Sequence, residues 1–285
     1  MKINRILPDD DPYLQIISSI AHKPKALYVI GKLPTKRRPT VAIVGTRKPT
    51  AYGREVAHQL AYDLAQKGII VISGLALGTD AIAHRGALEA GGTTLAVLAN
   101  GLESIHPKTN RDLAINILAQ GGALISEYEP DVLAREFRFL ERNRIVSGLS
   151  DAIIIVEAAQ RSGTLSTAAR ALEQGREVFV VPGNITSPLS AGCNALLKQG
   201  ATPITCADDV LEVIAPDLLD PQAALALGNN ALETQIIALL QSGLRDGDQI
   251  FAQCDTTTSE FSTTLTMMEI GGTLRSLGGN QWTLK

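Results

Sequence analysis

The sequence predicts an α/β fold, namely an extended Rossmann-like, doubly wound parallel sheet followed by a small C-terminal winged-helix-like domain. Three observations support this prediction. Short apolar runs rich in β-branched residues alternate with helical patterns, as in a parallel sheet covered on both faces. The chain has 285 residues, 45% of them hydrophobic, which suffices for one large domain and a small one. A stretch rich in Pro, Asp and Asn precedes a C-terminal segment with its own helical pattern.

The strands of the predicted sheet are apolar throughout, as expected for strands that are buried on both faces. Five runs form its centre: 41–44, 69–73, 94–98, 152–156 and 178–181. Two further strands are expected at 123–126 and 202–205. Apolar residues recur at helical spacing in three of the intervening segments, 52–67, 80–89 and 110–120.

Four segments are expected along the chain. Residues 1–39 are predicted to be an N-terminal helical extension, and residues 40–214 the Rossmann-like domain. Residues 215–230 have the composition of a linker. Residues 231–285 contain one clear amphipathic helix, two shorter helical patterns and a Gly-Gly-Asn hairpin turn, which together predict a winged-helix-like domain.

Charge is distributed unevenly along the chain. Residues 206–285 carry eleven acidic and three basic residues, a net charge of -8 against -3 for the whole chain, so the remainder carries +5. Residues 31–54 hold seven basic residues and no acidic one. A basic body attracts a phosphate backbone, whereas an acidic C-terminal region repels it.

The sequence also bears on location and on metal binding. No apolar stretch is long enough to cross a bilayer, and Pro and Asp interrupt the N-terminus before a signal-peptide core can form. The three cysteines form neither a CxxC pair nor a Cys/His cluster. We therefore expect a cytoplasmic protein with no membrane partner, no metal site and no cofactor.

Two loops with anion-binding character follow predicted strands, at the sheet edge where doubly wound folds bind ligands. Residues 45–47 (Gly-Thr-Arg) offer backbone amides and a guanidinium. Residues 162–164 (Ser-Gly-Thr) open a helix, and their hydroxyls and amides add to its dipole. The first loop is not the GxGxxG fingerprint of a dinucleotide site, and the second lacks the lysine of a P-loop, which disfavours NTP hydrolysis.

A further glycine-rich loop covers residues 73–80, and Asp80 and His84 follow one helical turn apart. A metal site or an acid–base pair is one interpretation of this spacing. Helix capping with a structural hydrogen bond is the favoured one.

Residues 135–144 combine four arginines with two phenylalanines. Phosphates require positive charge and unstacked bases require flat rings, so this composition indicates contact with single-stranded nucleic acid. The alternative is that the rings lie in the core while the arginines pair with Glu136 and Glu141.

Taken together, residues 41–53, 73–102, 142–158 and 162–183 resemble the bacterial DprA/Smf family of DNA-processing proteins. The resemblance covers about residues 27–205. It implies a basic pocket for single-stranded DNA, a homodimer, and partnership with the recombinase RecA in natural transformation or DNA recombination. The sequence departs from the family at Leu140, usually a proline, and at Glu136, often a basic residue.

We therefore predict sequence-independent binding of single-stranded DNA without catalysis. The predicted phosphate contacts are Arg47, Arg138, Arg142 and Arg144, and Phe139 is the predicted stacking platform. The other predicted site residues are Gly45, Thr46, Asn143, Ser162, Gly163 and Thr164.

Two alternatives remain open. Residues 142–143, 151–157, 162–164 and Glu173 also resemble the lysine-decarboxylase-like nucleotide phosphoribohydrolases, which use an Arg and a Glu on the same type of sheet. A second possibility is a nucleotide sensor, in which the pocket holds a mononucleotide and the acidic C-terminal region recruits a partner.

Overall fold

The fold is taken from a computed structural model that describes residues 2–219 and 230–284. The chain divides into two compact units, Met1–Leu218 and Leu219–Lys285. Most of the predicted linker at 215–230 lies outside the described residues.

The first unit is built on a nine-stranded sheet. Its strands are β1 (Asn4–Ile6), β2 (Leu27–Gly31), β3 (Thr40–Val44), β4 (Ile70–Ser73), β5 (Thr94–Leu98), β6 (Ala123–Ser126), β7 (Ala152–Ile155), β8 (Glu177–Val180) and β9 (Thr202–Pro203). Their order is β1-β2-β6-β5-β4-β3-β7-β8-β9. All neighbouring strands among β6, β5, β4, β3, β7, β8 and β9 pair in parallel. At one edge, β2 pairs antiparallel with β6, and β1 pairs antiparallel with β2. The predicted doubly wound α/β fold is confirmed.

Seven α-helices accompany this sheet: α1 (Ala51–Gln66), α2 (Thr79–Glu89), α3 (Arg111–Ala119), α4 (Glu136–Gly148), α5 (Gly163–Glu173), α6 (Ala191–Lys198) and α7 (Ala207–Ile214). Short 3-10 helices cover Pro8–Asp10, Gln15–Ser19, Lys108–Asn110 and Pro216–Leu218. Within the described residues, no helix combines the length and apolar character needed to cross a membrane.

The strand order reverses between β3 and β7. From β3 the chain builds outward through β4, β5 and β6, and it then returns to the other side of β3 to build β7, β8 and β9. The loops that leave the carboxyl ends of β3 and β7 therefore diverge, and a crevice opens between them.

Both faces of the sheet are apolar because both are covered. Along β5, Leu95 and Val97 pack into one hydrophobic cluster, while Ala96 and Leu98 pack into another on the opposite face. This arrangement explains why the strands appear in the sequence as continuous apolar runs instead of alternating patterns.

The N-terminal segment 1–39 differs from the helical extension that was expected. It contains two 3-10 helices, and it also contributes β1 and β2 to the sheet. In β2, Tyr28 lies opposite Ser126 of β6, and its first four residues are buried. An apolar run of this length fits a strand and a buried helical turn equally well, so periodicity did not predict that β2 is a strand.

The second unit contains α8 (Ala231–Gln241), α9 (Gly247–Gln253), α10 (Thr258–Ile270) and a hairpin of β10 (Leu274–Gly278) and β11 (Gln281–Leu284). Its core includes Ile236, Phe261 and Leu274. The hairpin turn contains the predicted Gly-Gly-Asn sequence, with φ angles of 84°, 58° and 61° at residues 278–280. Glycine and asparagine tolerate these positive angles, which explains their use here.

Asp80 and His84 both serve structural roles. Asp80 Oδ2 accepts hydrogen bonds from the amides of Gly74 (3.0 Å) and Ala76 (3.3 Å). His84 is buried, and its Nδ1 lies 2.7 Å from Thr94 Oγ1. Because the Thr94 hydroxyl donates to a backbone carbonyl, its oxygen accepts from Nδ1–H, which leaves Nε2 as the deprotonated nitrogen.

Burial lowers the pKa of His84 to about 3, and the charge of Arg142 acts in the same direction. The unfolded chain therefore binds a proton at this position below about pH 6.5, whereas the folded chain does not. Since protonation favours the unfolded state, stability falls as the pH decreases from about 6.5 towards 3.

We expect His84→Gln to remove this acid sensitivity. Between pH 7.5 and 5.5, wild type should lose about 1.4 kcal/mol more unfolding free energy than His84→Gln, because only wild type gains a proton at this site on unfolding. Urea denaturation of both proteins at both pH values measures the difference. Equal losses in the two proteins would contradict the assignment.

Candidate nucleic-acid interface

An open pocket of about 550 Å³ lies where the strand order reverses, and we call it the switch-point pocket. Three segments supply most of its wall: the loop after β3, the first two turns of α4, and the start of α5 with the loop before it. Their lining residues are Gly45, Thr46, Arg47, Glu136, Phe139, Leu140, Arg142, Asn143, Ala159, Arg161, Ser162, Gly163 and Thr164. Nine of the eleven predicted site residues therefore line one pocket, and Arg138 and Arg144 do not.

Hydrogen bonds fix the loops around this pocket to one another. Thr164 Oγ1 donates to the Gly45 carbonyl at 3.0 Å, and Thr79 Oγ1 donates to the Thr46 carbonyl at 3.1 Å. A Cβ atom on Gly45 would lie 2.5 Å from Thr79 Oγ1, so glycine permits this close approach. The pocket floor is therefore preorganised.

The start of α5 presents an anion-binding geometry to the pocket. Ser162 is the N-cap residue, and its Oγ accepts from the Thr164 amide at 3.1 Å. The helix begins at Gly163, which is exposed, so the positive end of the helix dipole opens into the pocket.

The arginine-rich stretch is helical, and its helical period separates its side chains. Successive residues of a helix are rotated by about 100°, so Phe139, Arg142 and Asn143 share one face. Arg138 and Arg144 are rotated away from that face. This difference in direction explains which members of the stretch line the pocket.

Arg142 is buried although it lines the pocket, with only 4% of its surface exposed. Its Nη1 donates to the Gly74 carbonyl at 2.7 Å and also to the Val97 carbonyl. The Arg142 charge opposes the rise in the Asp80 pKa that burial causes. These contacts favour a positioning role over the phosphate contact that was predicted.

Arg138 and Arg144 make contacts away from the pocket. Arg138 lies between the rings of Tyr128 and Phe137, at 5.0 and 5.4 Å from their centroids. Arg144 Nη2 forms an ion pair of 2.6 Å with Glu127. Both side chains are engaged in holding α4, so the structure does not favour their predicted phosphate roles.

Arg47 is stacked on an aromatic ring inside the pocket. Its guanidinium carbon lies 5.1 Å from the centroid of the Phe139 ring, and His106 packs against the same ring at 5.7 Å. Stacking restricts the long Arg47 side chain, while its charged edge is left for a ligand. The sequence gave no signal for His106, because it lies 33 residues from Phe139.

Two cations of the pocket are accessible. Arg47 and Arg161 are exposed, and within the described residues neither forms an ion pair. Glu136, also exposed, partly offsets them at the rim. Arg161 was not among the predicted site residues, although its position directly before the N-cap Ser162 was a signal for it.

The hydrolase alternative requires an arginine and a glutamate at one centre, which the structure does not provide at the residues proposed. Both oxygens of Glu157 accept from Thr50, from its hydroxyl at 2.6 Å and its amide at 2.9 Å. Glu173 pairs with Arg170 at 2.8 Å and lines a different pocket. The geometry therefore favours binding over this hydrolytic chemistry.

Comparison with known proteins identifies the family. The family model for DNA recombination-mediator protein A, or DprA, matches residues 4–215. The chain belongs to the DprA family. A second model, the DprA winged helix domain, matches residues 219–280 and confirms the predicted nature of the C-terminal domain.

Relatives in this family resemble the chain over most of its length. Protein Smf of Escherichia coli is 44% identical over 211 residues, which are 73% of this chain and 56% of that protein. The chain thus spans little more than half of that relative. DprA from Streptococcus pneumoniae has a solved structure that superposes with a TM-score of 0.70, at 37% identity and covering 75% of each chain.

A structure of DprA from Helicobacter pylori describes the single-stranded DNA binding mode of that protein. It superposes with a TM-score of 0.67 at 33% identity, covering 76% of this chain and 97% of the other. Members of this family are DNA-processing proteins, and the chain shares their fold.

We expect Arg142→Met to destabilise the first unit by about 3–5 kcal/mol. The substitution leaves Asp80 buried beside no cation, and it removes donors from two buried carbonyls. The exposed Arg47 provides a control, and Arg47→Ala should cost no more than about 1 kcal/mol, which is what an exposed cation–π contact contributes. Urea denaturation measures both; similar losses in the two variants would show that Arg142 has no special structural role.

Proposed function

We propose that this chain binds single-stranded DNA in the switch-point pocket, without regard to sequence and without catalysis. The observation that carries the proposal is the pairing of an exposed, ring-stacked Arg47 with the N-terminus of α5 in one open pocket. Kinship with H. pylori DprA, whose structure describes single-stranded DNA binding, supports it.

The pocket residues divide into phosphate contacts, a stacking platform and supports. Arg47 and Arg161 hold phosphates, together with hydroxyls and amides of residues 162–164. The Phe139 ring, over which Arg47 lies, is the proposed stacking platform for a base, which would share the ring with that guanidinium. Arg142 positions α4, and Asn143 Nδ2 reaches the Gly163 carbonyl at 3.4 Å.

Such contacts carry no sequence preference. Phosphates are identical at every nucleotide, and every base has a face that stacks on a ring. In α10, the helix at the recognition position of the winged helix, no Lys or Arg is present, which does not suit a duplex backbone.

The biological role that we propose follows the family. A cytoplasmic homodimer protects incoming or exposed single strands and promotes loading of the RecA recombinase in natural transformation or DNA recombination. The acidic region at 206–285 is suited to contact a protein partner, because its net charge of -8 repels nucleic acid.

We expect Arg47→Ala to weaken binding to oligo-dT by about 5- to 150-fold, which corresponds to about 1–3 kcal/mol. It should also lower the slope of log affinity against log salt, by about 0.7 for one lost phosphate contact on a single strand. Fluorescence anisotropy at several oligonucleotide lengths and two salt concentrations measures both.

Arg85→Ala is the matched control, since it removes the same charge from an exposed position on α2 that does not line the pocket. Its affinity should stay within about twofold of wild type. If the folded wild-type protein binds no oligonucleotide, the proposal is wrong. If it binds a mononucleotide as tightly as it binds long strands, the nucleotide-sensor alternative is favoured.

A further inference from the structure

A second pocket, of about 530 Å³, lies on the same edge of the sheet, and we call it the Tyr52 pocket. Its lining residues come from the start of α1 and from the loops after β7 and β8: Thr50, Tyr52, Glu157, Pro182, Gly183, Asn184, Ser187 and Ser190. Because β7 follows β3 in the sheet and β8 follows β7, this pocket continues the crevice beyond the switch point.

The lining of the Tyr52 pocket is close to neutral. It includes no Lys or Arg, and its one acidic residue, Glu157, is 2% exposed with both oxygens occupied by Thr50. The pocket therefore offers no charge to bind a phosphate, and Glu157 is not placed to act as a base. What remains are hydroxyls, an amide, a proline and an aromatic ring.

The ring of Tyr52 is held in place but remains accessible. Its hydroxyl donates to the Pro182 carbonyl at 3.1 Å, which links α1 to the loop after β8. The side chain is nevertheless 48% exposed. A fixed ring with solvent at its surface is a suitable platform for a planar ligand.

Polar groups with unused hydrogen-bonding capacity lie in the same pocket as this ring. Asn184 Oδ1 accepts from the amide and the hydroxyl of Thr186, at 3.0 and 2.9 Å. Its Nδ2 group and the Ser187 hydroxyl show no hydrogen bond within the described part of the chain. Both can donate to the carbonyl oxygen of a nucleobase.

We propose that the Tyr52 pocket is a nucleobase site, which takes a base of the same single strand whose phosphates occupy the switch-point pocket. This inference rests on the proposed function. The loop from Thr46 to Thr50 separates the two pockets, and Lys48 lies exposed on it, where the intervening backbone would cross. One pocket supplies charge, and the other supplies a neutral surface with a ring.

Photocrosslinking tests this directly in the full wild-type chain. An oligo-dT of about twelve nucleotides, with 5-iodouracil at one position at a time, should crosslink to Tyr52 from a limited set of positions. Peptide mass spectrometry identifies the modified residue. Free 5-iodo-2′-deoxyuridine at the same concentration should not crosslink, because it lacks the phosphates that hold the strand.

Affinity measurements give a second test. Tyr52→Ala should weaken binding of this oligonucleotide by roughly 5- to 150-fold, because the stacking of one base is lost. The slope of log affinity against log salt should not change, because every phosphate contact is kept. Strands of about three nucleotides should bind Tyr52→Ala as they bind wild type. Tyr52→Phe keeps the ring and should stay within about threefold of wild type.

The outcomes separate the two proposals. If Tyr52 acquires no crosslink, or if Tyr52→Ala binds long strands as wild type does, the nucleobase site is wrong while the switch-point pocket stands. Crosslinking of the free nucleoside at Tyr52 with equal yield would overturn the link to a bound strand. Failure of wild type to bind any strand would instead remove the proposed function itself.

Discussion

The buried guanidinium of Arg142 is the contact on which the candidate site depends. It reaches from α4 to carbonyls at the carboxyl ends of β4 and β5, and it offsets the buried carboxylate of Asp80. Asp80 in turn holds the amides of the loop after β4. A Cβ on Gly74 would overlap the guanidinium, so that glycine leaves the space for it. This one interaction therefore fixes the face of α4 that carries Phe139 relative to the strand ends.

Two arginines of the switch-point pocket have different roles, and burial decides which role each one has. Arg142 has its charge enclosed and its donors used on backbone carbonyls, so it acts as a support. Arg47 lies exposed with its guanidinium carbon over the Phe139 ring, so its donors remain for a ligand. A fixed support beneath an accessible cation reduces the ordering cost of binding, because the protein groups already lie in position.

The sequence predicted the sheet well, because strands buried on both faces leave continuous apolar runs between turn-rich loops. It also predicted which loops line the switch-point pocket, since a crevice opens between the loops after β3 and β7 where the strand order reverses. It failed at α4, where a buried arginine replaces an apolar residue and so interrupts the helical pattern. Because that helix was not predicted, the direction of each arginine side chain in residues 135–144 could not be predicted either. The sequence therefore could not show that Arg138 and Arg144 lie outside the pocket.

Two buried carboxylates shape the loops that form the two pockets. Asp80 and Glu157, the buried acids beside the two pockets, each accept two hydrogen bonds from neighbouring backbone or hydroxyl groups. Asp80 thereby holds the loop after β4, and Glu157 links the loop after β7 to the start of α1. These two buried acids thus shape the loops, while Arg47, Arg161 and Tyr52 are left exposed. That division suits the proposed binding of a charged, stacked polymer.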